Sequence, residues 1–154
     1  FQIALSDKKG RKIFNENLFD SSSTLENVNK NSKYLRKKAK LLGVKPKDLI
    51  VNSYPVDVQK LSTIIKDLKL SVIDFVKIDV EGHELNCLQG LFDGLKAKIK
   101  CIQIENNSND LYRTKNNLDE IIDLLKKNGF NRSKEIKHGF GRFSDIIFWT
   151  TDND

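Results

Sequence analysis

A layered α/β protein built on a mostly parallel sheet is what this sequence predicts. Two observations lead there. The run Val72 to Val80 crowds apolar residues with few interruptions, as in strands buried on both faces of a parallel sheet. From residue 72 onward, strand-like and helix-like patterns then alternate.

The elements follow in order. Phe1 to Asp7, "FQIALSD", reads as a short strand, and "KKG" as a turn. "RKIFNENLF" is a hairpin arm, and Ser21 to Thr24 is a loop by composition. Lys33 to Gly43 is a basic helix that Gly43 closes, and Pro46 prevents its continuation. "LIVNSYPVDV" is extended, with Pro55 placing it at an edge or a strand end. Val58, Leu61, Ile65 and Leu68 share one face at helical spacing. After the run 72–80, Leu85, Leu88, Leu91, Phe92 and Leu95 mark a helix, and Lys98 to Glu105 a second buried strand. Asn106 to Asn109 form a polar loop. Leu118, Ile121, Ile122 and Leu125 mark the last helix, with Gly129 to close it. Ser144 to Thr150 is the final strand.

The totals narrow the function classes. The chain has 154 residues, enough for one domain with a real core, and no apolar run of membrane-spanning length. Cys87 and Cys101 lie inside apolar patterns without metal or redox spacing, which points to reduced core thiols and a cytoplasmic protein. The net charge of +6 reads first as a solvated surface. The chain contains no Met, so Phe1 is read as lying inside a longer protein.

The chemistry concentrates at the predicted strand ends. In open α/β sheets, ligands bind beyond the carboxyl ends of the strands. Asp79 ends one buried strand and Glu105 the next, and Glu81, His83 and Glu84 follow Asp79 around Gly82. Each has a plain structural alternative: Asp79 as a cap, Glu81 and Glu84 as favourable charges at a helix start, His83 as a surface residue. Together they point to a functional site. No metal-binding spacing accompanies them, and no G-x-S-x-G elbow supports a hydrolase. The "GFG" at Gly139 to Gly141 is weak as a phosphate loop.

"VKIDVEGHELNCLQGL" followed by "IKCIQIE" resembles the FkbM-type methyltransferase family, and "IALSDKKG", "SSST", "YPVDVQKLSTII", "NLDEIIDLLKKNGF" and "SDIIFWT" follow that family's order. The stretch 27–50 fits less well and reads as a basic insertion within a single domain, 1–154. The resemblance implies a partial Rossmann-like class I methyltransferase sheet, mostly parallel with a final antiparallel strand. It implies transfer of a methyl group from S-adenosylmethionine to a hydroxyl of a saccharide or natural product. By position, Ala4, Leu5 and Ser6 would lie near the adenine. Asp79, Glu81 and His83 would line the methyl-transfer crevice, with Asp79 also toward the cofactor and Glu84 and Glu105 toward the acceptor. A hydroxyl acceptor gains from a general base, and Asp79, Glu81 and His83 all stand as candidates. The family's Gly-rich cofactor loop and its second strand have no counterpart here. The expectation is therefore an amino-terminally truncated domain, inactive alone, with a gap in its sheet and an exposed strand edge.

Two other readings compete. "KYLRKKAK", Lys33 to Lys40, could make a basic nucleic-acid- or anion-binding module, but no nucleic-acid motif accompanies it. Within the enzyme reading, the same patch would steer an anionic acceptor. A degenerate scaffold domain without catalysis is the second alternative. Oligomeric state is open.

Overall fold

A computed structural model describes residues 2–18, 22–107, 110–112, 118–138 and 143–151. The expected features at Ser21, at 108–109 and at Gly139 to Gly141 lie outside the described residues.

The strands form two sheets. In the first, β1 (Ala4–Leu5), β2 (Gly10–Asn17) and β3 (Ile50–Gln59) are ordered β1-β3-β2. In the second, β4 (Val72–Ile78), β5 (Lys98–Asn107), β6 (Arg132–Lys137) and β7 (Phe143–Trp149) are ordered β4-β5-β7-β6. Among the described residues, four α-helices accompany them: α1 (Lys33–Leu41), α2 (Leu61–Asp67), α3 (Glu84–Phe92) and α4 (Leu118–Lys127), with a 3-10 turn at Pro46–Leu49. The α/β class is as expected, but one mostly parallel sheet is not what forms. Among the described residues, only β1 with β3 and β4 with β5 pair in parallel, and the other three ladders are antiparallel.

The differences have local causes. Pro55 lies well inside β3, the middle strand of its sheet. It is tolerated because β1 reaches only Val58 and Gln59, so β3 is in effect an edge on that side at Pro55. Val58 belongs to β3 rather than to α2. The strand β6 reads RSKEIK and is exposed throughout, so no apolar alternation announced it. Asn106 and Asn107 extend β5 instead of opening a loop.

The expectation that 72–80 is buried on both faces also fails. Ile78 is buried, but Val72 and Phe75 stay 49% and 50% exposed. Among the described residues, β4 has a strand partner only on its β5 side, so its other edge is uncovered.

The main core gathers Ile78 of β4, Ile102 and Ile104 of β5, Cys87, Leu88 and Leu91 of α3, and Leu125 of α4. These side chains recur at helical spacing on the helices and at alternate positions on β5, which is how one face of each element reaches a shared interior. Leu5 of β1 packs against the same core. At Gly90 of α3, a Cβ would lie 2.0 Å from the Ser6 carbonyl oxygen, so only glycine lets the helix approach β1 this closely.

The segment read as a basic insertion builds a smaller core of its own. Val28, Leu35, Ala39 and Leu49 pack with Leu111 and Tyr112, which follow β5. Gly43, at φ +69°, ends α1 as expected. Its start is tied from a distance: Asp110 accepts from the Ser32 hydroxyl at 2.6 Å and from the amides of Lys33 and Tyr34 at 2.8 and 3.1 Å. Those bonds, led by the one to Ser32, hold the Asp110 carboxyl down to about 2. No helix among the described residues is long and apolar enough to cross a membrane.

Candidate functional site

The parallel ladder of β4 and β5 puts Ile78 beside Ile104, so Asp79, just past β4, and Glu105, still within β5 opposite Asp145 of β7, lie toward the same end of the sheet. The loop between β4 and α3 is tightly turned. Glu81 has φ +52°, a conformation that disfavours any residue with a side chain, and Gly82 follows at φ +97°. Strain of this kind, worth about 1–3 kcal/mol, persists only where neighbours over-determine the backbone. Here they do. The Glu81 carbonyl accepts from the Thr24 hydroxyl at 2.7 Å, and its Oε2 accepts from the Tyr112 hydroxyl at 2.6 Å. Glu84 Oε1 accepts from the Gly82 amide at 3.0 Å.

The carboxylates differ in their partners. Asp79 takes Lys77 Nζ at 2.8 Å, and Asp145 of β7 meets His138 Nε2 at 3.1 Å. Glu81 has Tyr112, and Glu84 has backbone amides. Burial raises Glu81 and Glu84 above the ordinary range, although the Tyr112 bond and the amides work against it. Glu105 has no hydrogen-bonding or ion-pair partner among the described residues, and its Oε2 is buried. Burial, and then the charges of Glu81, Asp79, Glu84 and Asp145, push it up to about 7. Glu84 Oε2 is likewise buried without a partner, on a residue only 1% exposed.

His83 sits behind this loop. Its Nε2 lies 2.9 Å from Ser6 Oγ, and its Nδ1 lies 2.5 Å from Glu26 Oε1. The Ser6 hydroxyl donates to Asp7 Oδ1 at 2.8 Å, so Nε2 carries the hydrogen that points at Ser6. Serine, histidine and glutamate thus line up as in a hydrolase, but the serine's proton is committed away from the histidine. Ser6 is 0% and His83 1% exposed, so no substrate reaches them.

The expected site residues therefore separate into two groups. Asp79, Glu81, Glu84 and Glu105 share one electrostatic neighbourhood. His83 and Ser6 bond each other in the interior, where they tie β1 to the β4–α3 loop. Ala4 and Leu5 form β1 and keep partial exposure, and the Leu5 carbonyl accepts from Cys87 Sγ at 3.4 Å. That thiol is pushed up to about 12 by burial and then by Glu84. Sequence reasoning missed Glu26, Tyr112 and Asp145, which come from separate segments and carry no motif. It also did not place α1 beside the acids: Glu81 and Glu105 both raise the Tyr34 hydroxyl after burial does, and Lys38 lowers Glu81. A surface hollow lined by Phe92, Lys98, Ile99 and Phe130 lies at the opposite end of β5 and holds none of these groups.

The donor set bears on what could bind. Among the described residues, no group of three or more His, Cys, Asp or Glu is arranged to hold a metal ion. Buried carboxylate oxygens without hydrogen-bond donors fit a cationic group such as a sulfonium.

A family model described as "Methyltransferase FkbM domain" matches residues 2–132. The AMB antimetabolite synthetase AmbE of Pseudomonas aeruginosa is 36% identical over 75 residues, which is 49% of this chain and 4% of that protein. The chain thus spans a small fraction of that relative's length. No solved structure matches.

Proposed function

This chain belongs to the FkbM methyltransferase domain family, and from that premise we propose that it carries the acceptor-facing, acidic half of a methyl-transfer site. The reaction is an O-methylation, and the acceptor is a hydroxyl of a saccharide or natural product. AmbE's designation as an antimetabolite synthetase favours the natural-product side.

One observation carries the reading: Glu105 stands in the carboxyl-terminal part of β5 with a buried Oε2 that has no hydrogen-bond partner among the described residues, and its carboxyl is raised to about 7. When bound, S-adenosylmethionine supplies an electrophilic methyl group on a sulfonium. Glu105 takes the proton of the acceptor hydroxyl at its carboxylate. A base with a pKa near the working pH combines availability with driving force. Asp79, paired with Lys77, orients the acceptor from the end of the neighbouring strand. Glu81 and Tyr112 fix the strained loop, and His83 fixes it from behind. Ala4 and Leu5 remain the places on β1 for the adenine, because Ser6 has no exposed surface.

Calorimetry with S-adenosylmethionine on this chain and on a form extended upstream of Phe1, followed by methyl-label transfer to a panel of glycosides and hydroxy acids, tests the reading. Binding by the extended form, together with transfer that falls by about 10²–10⁴-fold in Glu105→Gln, is expected. Cofactor binding with transfer unaffected by Glu105→Gln would remove Glu105 from the chemistry. No cofactor binding by either form would overturn the methyltransferase reading.

A further inference from the structure

We propose that the exposed face of α1 docks the protein on the surface of an anionic phospholipid bilayer, with Leu41 entering the interface beside the cations. The inference is independent of the methyl-transfer reading.

The chain's excess positive charge is confined to this place. Residues 33–49 hold seven of its 27 cations and one of its 21 acids, Asp48. The rest of the chain has 20 of each and is neutral. The +6 of the whole is thus the charge of one helix and the turn after it. An ordinary solvated face mixes its signs: α4 exposes Asp119, Glu120 and Asp123 along with Lys126 and Lys127.

The fold gathers these cations on one side. At 3.6 residues per turn, the exposed Lys33, Arg36, Lys37 and Lys40 fall within about 100° of the helix circumference. Lys38 lies off that face and donates to the Ser22 hydroxyl at 2.9 Å. Lys45 and Lys47 are exposed in the turn that follows. The ion pairs among the described residues all lie elsewhere in the molecule. Arg36 donates to the Asn31 carbonyl at 3.0 Å, which leaves its charge uncompensated. The opposite face of α1 is already occupied. Leu35 and Ala39 pack into the small core, and Asp110 ties the first turn. The cations therefore stand on a fixed part of the surface and need no ordering of the backbone on contact.

The apolar edge of this face decides the partner. Leu41 is 85% exposed, more than any other large apolar side chain among the described residues. It follows Lys37 by about 40° around the helix, at the border of the cationic face. A leucine there gains nothing from a phosphodiester backbone. Against a bilayer it reaches below the headgroups, while the cations meet anionic lipid. Single-stranded nucleic acid would call for exposed aromatic side chains on which bases stack. Tyr34, the aromatic residue of α1, is half-buried with its ring 6.0 Å from that of Phe143.

The test is flotation of the full chain with vesicles at about 0.1 M salt, where exposed charges are screened beyond about 10 Å. Vesicles of phosphatidylcholine alone are compared with vesicles that include phosphatidylserine, and binding only to the anionic ones is expected. Arg36→Gln with Lys37→Gln should lower partitioning about 30-fold, since each basic side chain near an anionic surface contributes about fivefold. Lys33→Gln with Lys40→Gln should do the same, and unchanged thermal midpoints verify that both variants fold. Lys126→Gln with Lys127→Gln removes the same charge from α4 and should leave partitioning within about twofold. Leu41→Ser should lower partitioning about tenfold. It should leave unchanged any binding to a DNA duplex of about 20 base pairs, read by fluorescence anisotropy. Equal binding to both kinds of vesicle, or equal losses from the α1 and α4 variants, overturns the docking face. Vesicle binding indifferent to Leu41→Ser overturns the bilayer as partner, because any polyanion would then serve. Duplex binding without vesicle binding overturns it in favour of nucleic acid, and binding to neither overturns it and makes α1 a plain solvated face.

Discussion

Tyr112 donates its hydroxyl to Glu81 at 2.6 Å while its ring occupies the space that a Cβ on Gly82 would need. One side chain from the segment after β5 thus holds both the charge and the backbone of the β4–α3 loop. Tyr112→Phe removes the donor and keeps the ring. The Glu81 carboxyl, already raised by burial, then rises further, and the protein loses about 1–3 kcal/mol. Carbon-13 titration of Glu81 and urea unfolding check the two parts.

Gly82→Ala is expected to cost more than Tyr112→Phe. Its Cβ would lie 2.5 Å from Tyr112 Cδ2, and its backbone would be held at φ +97°. Adding Tyr112→Ala should relieve the steric part and leave the backbone part, about 1–3 kcal/mol. A double-mutant cycle by chemical unfolding separates them; strict additivity would show that ring and glycine do not compete for the same space.

Gly90→Ala is a clash of another kind, since the obstacle is the Ser6 carbonyl, which cannot rotate away. The helix must move off β1, at a cost of about 1–3 kcal/mol. The Ser6–His83 bond should weaken with it. The His83 ring nitrogen resonances report that change, and an unshifted Nε2 signal would mean that the helix absorbs the methyl elsewhere.

Glu105 gives stability a pH dependence of definite sign. Its folded pKa of about 7 lies above the unfolded value of 4.5. The native state therefore holds the proton more tightly, so this contribution is complete below pH 4.5 and is lost as pH rises through 7. Glu105→Gln should match the wild type at pH 4.5 and exceed it at pH 8 by about 1 kcal/mol, with solvent screening of this half-buried group allowed for. Thermal unfolding at both pH values measures it.

Asp110 has the opposite sign. Its carboxyl is held at about 2 against an ordinary 3.8, so its tie to α1 is present above pH 3.8 and fades toward pH 2. Asp110→Ala should lower amide protection through the first turn of α1 at neutral pH and leave α4 unchanged, as read by hydrogen exchange.

Local pattern was enough to reveal α1, α3, α4, β5 and β7, because each repeats its apolar residues at its own period or ends on a glycine in the left-handed region, as at Gly43 and Gly129. Motif content was enough to place Asp79, Glu81 and Glu105 in one electrostatic neighbourhood. Pairing was not legible. β2 lies against β3 instead of β1, a choice made by contacts about forty residues apart, and β6 is a polar edge strand whose sequence resembles a loop. His83 was the least readable residue of the site. Its surroundings are Ser6 and Glu26, 77 and 57 positions away, and nothing beside it in the chain marks it as interior. Tyr112 and Asp145 were missed for the same reason.

The cap on α1 has a consequence for how the protein is made. Ser32 and its partner Asp110 are 78 positions apart, so at about 5–20 residues per second the second leaves the ribosome roughly 4–16 s after the first. Leu111 and Tyr112, which close the small core around α1, arrive with it. The basic helix is synthesised before β5, yet it gains this anchor only after β5 has emerged. In the interval it is a positively charged segment without this anchor, and Asp110 settles it once β5 is out.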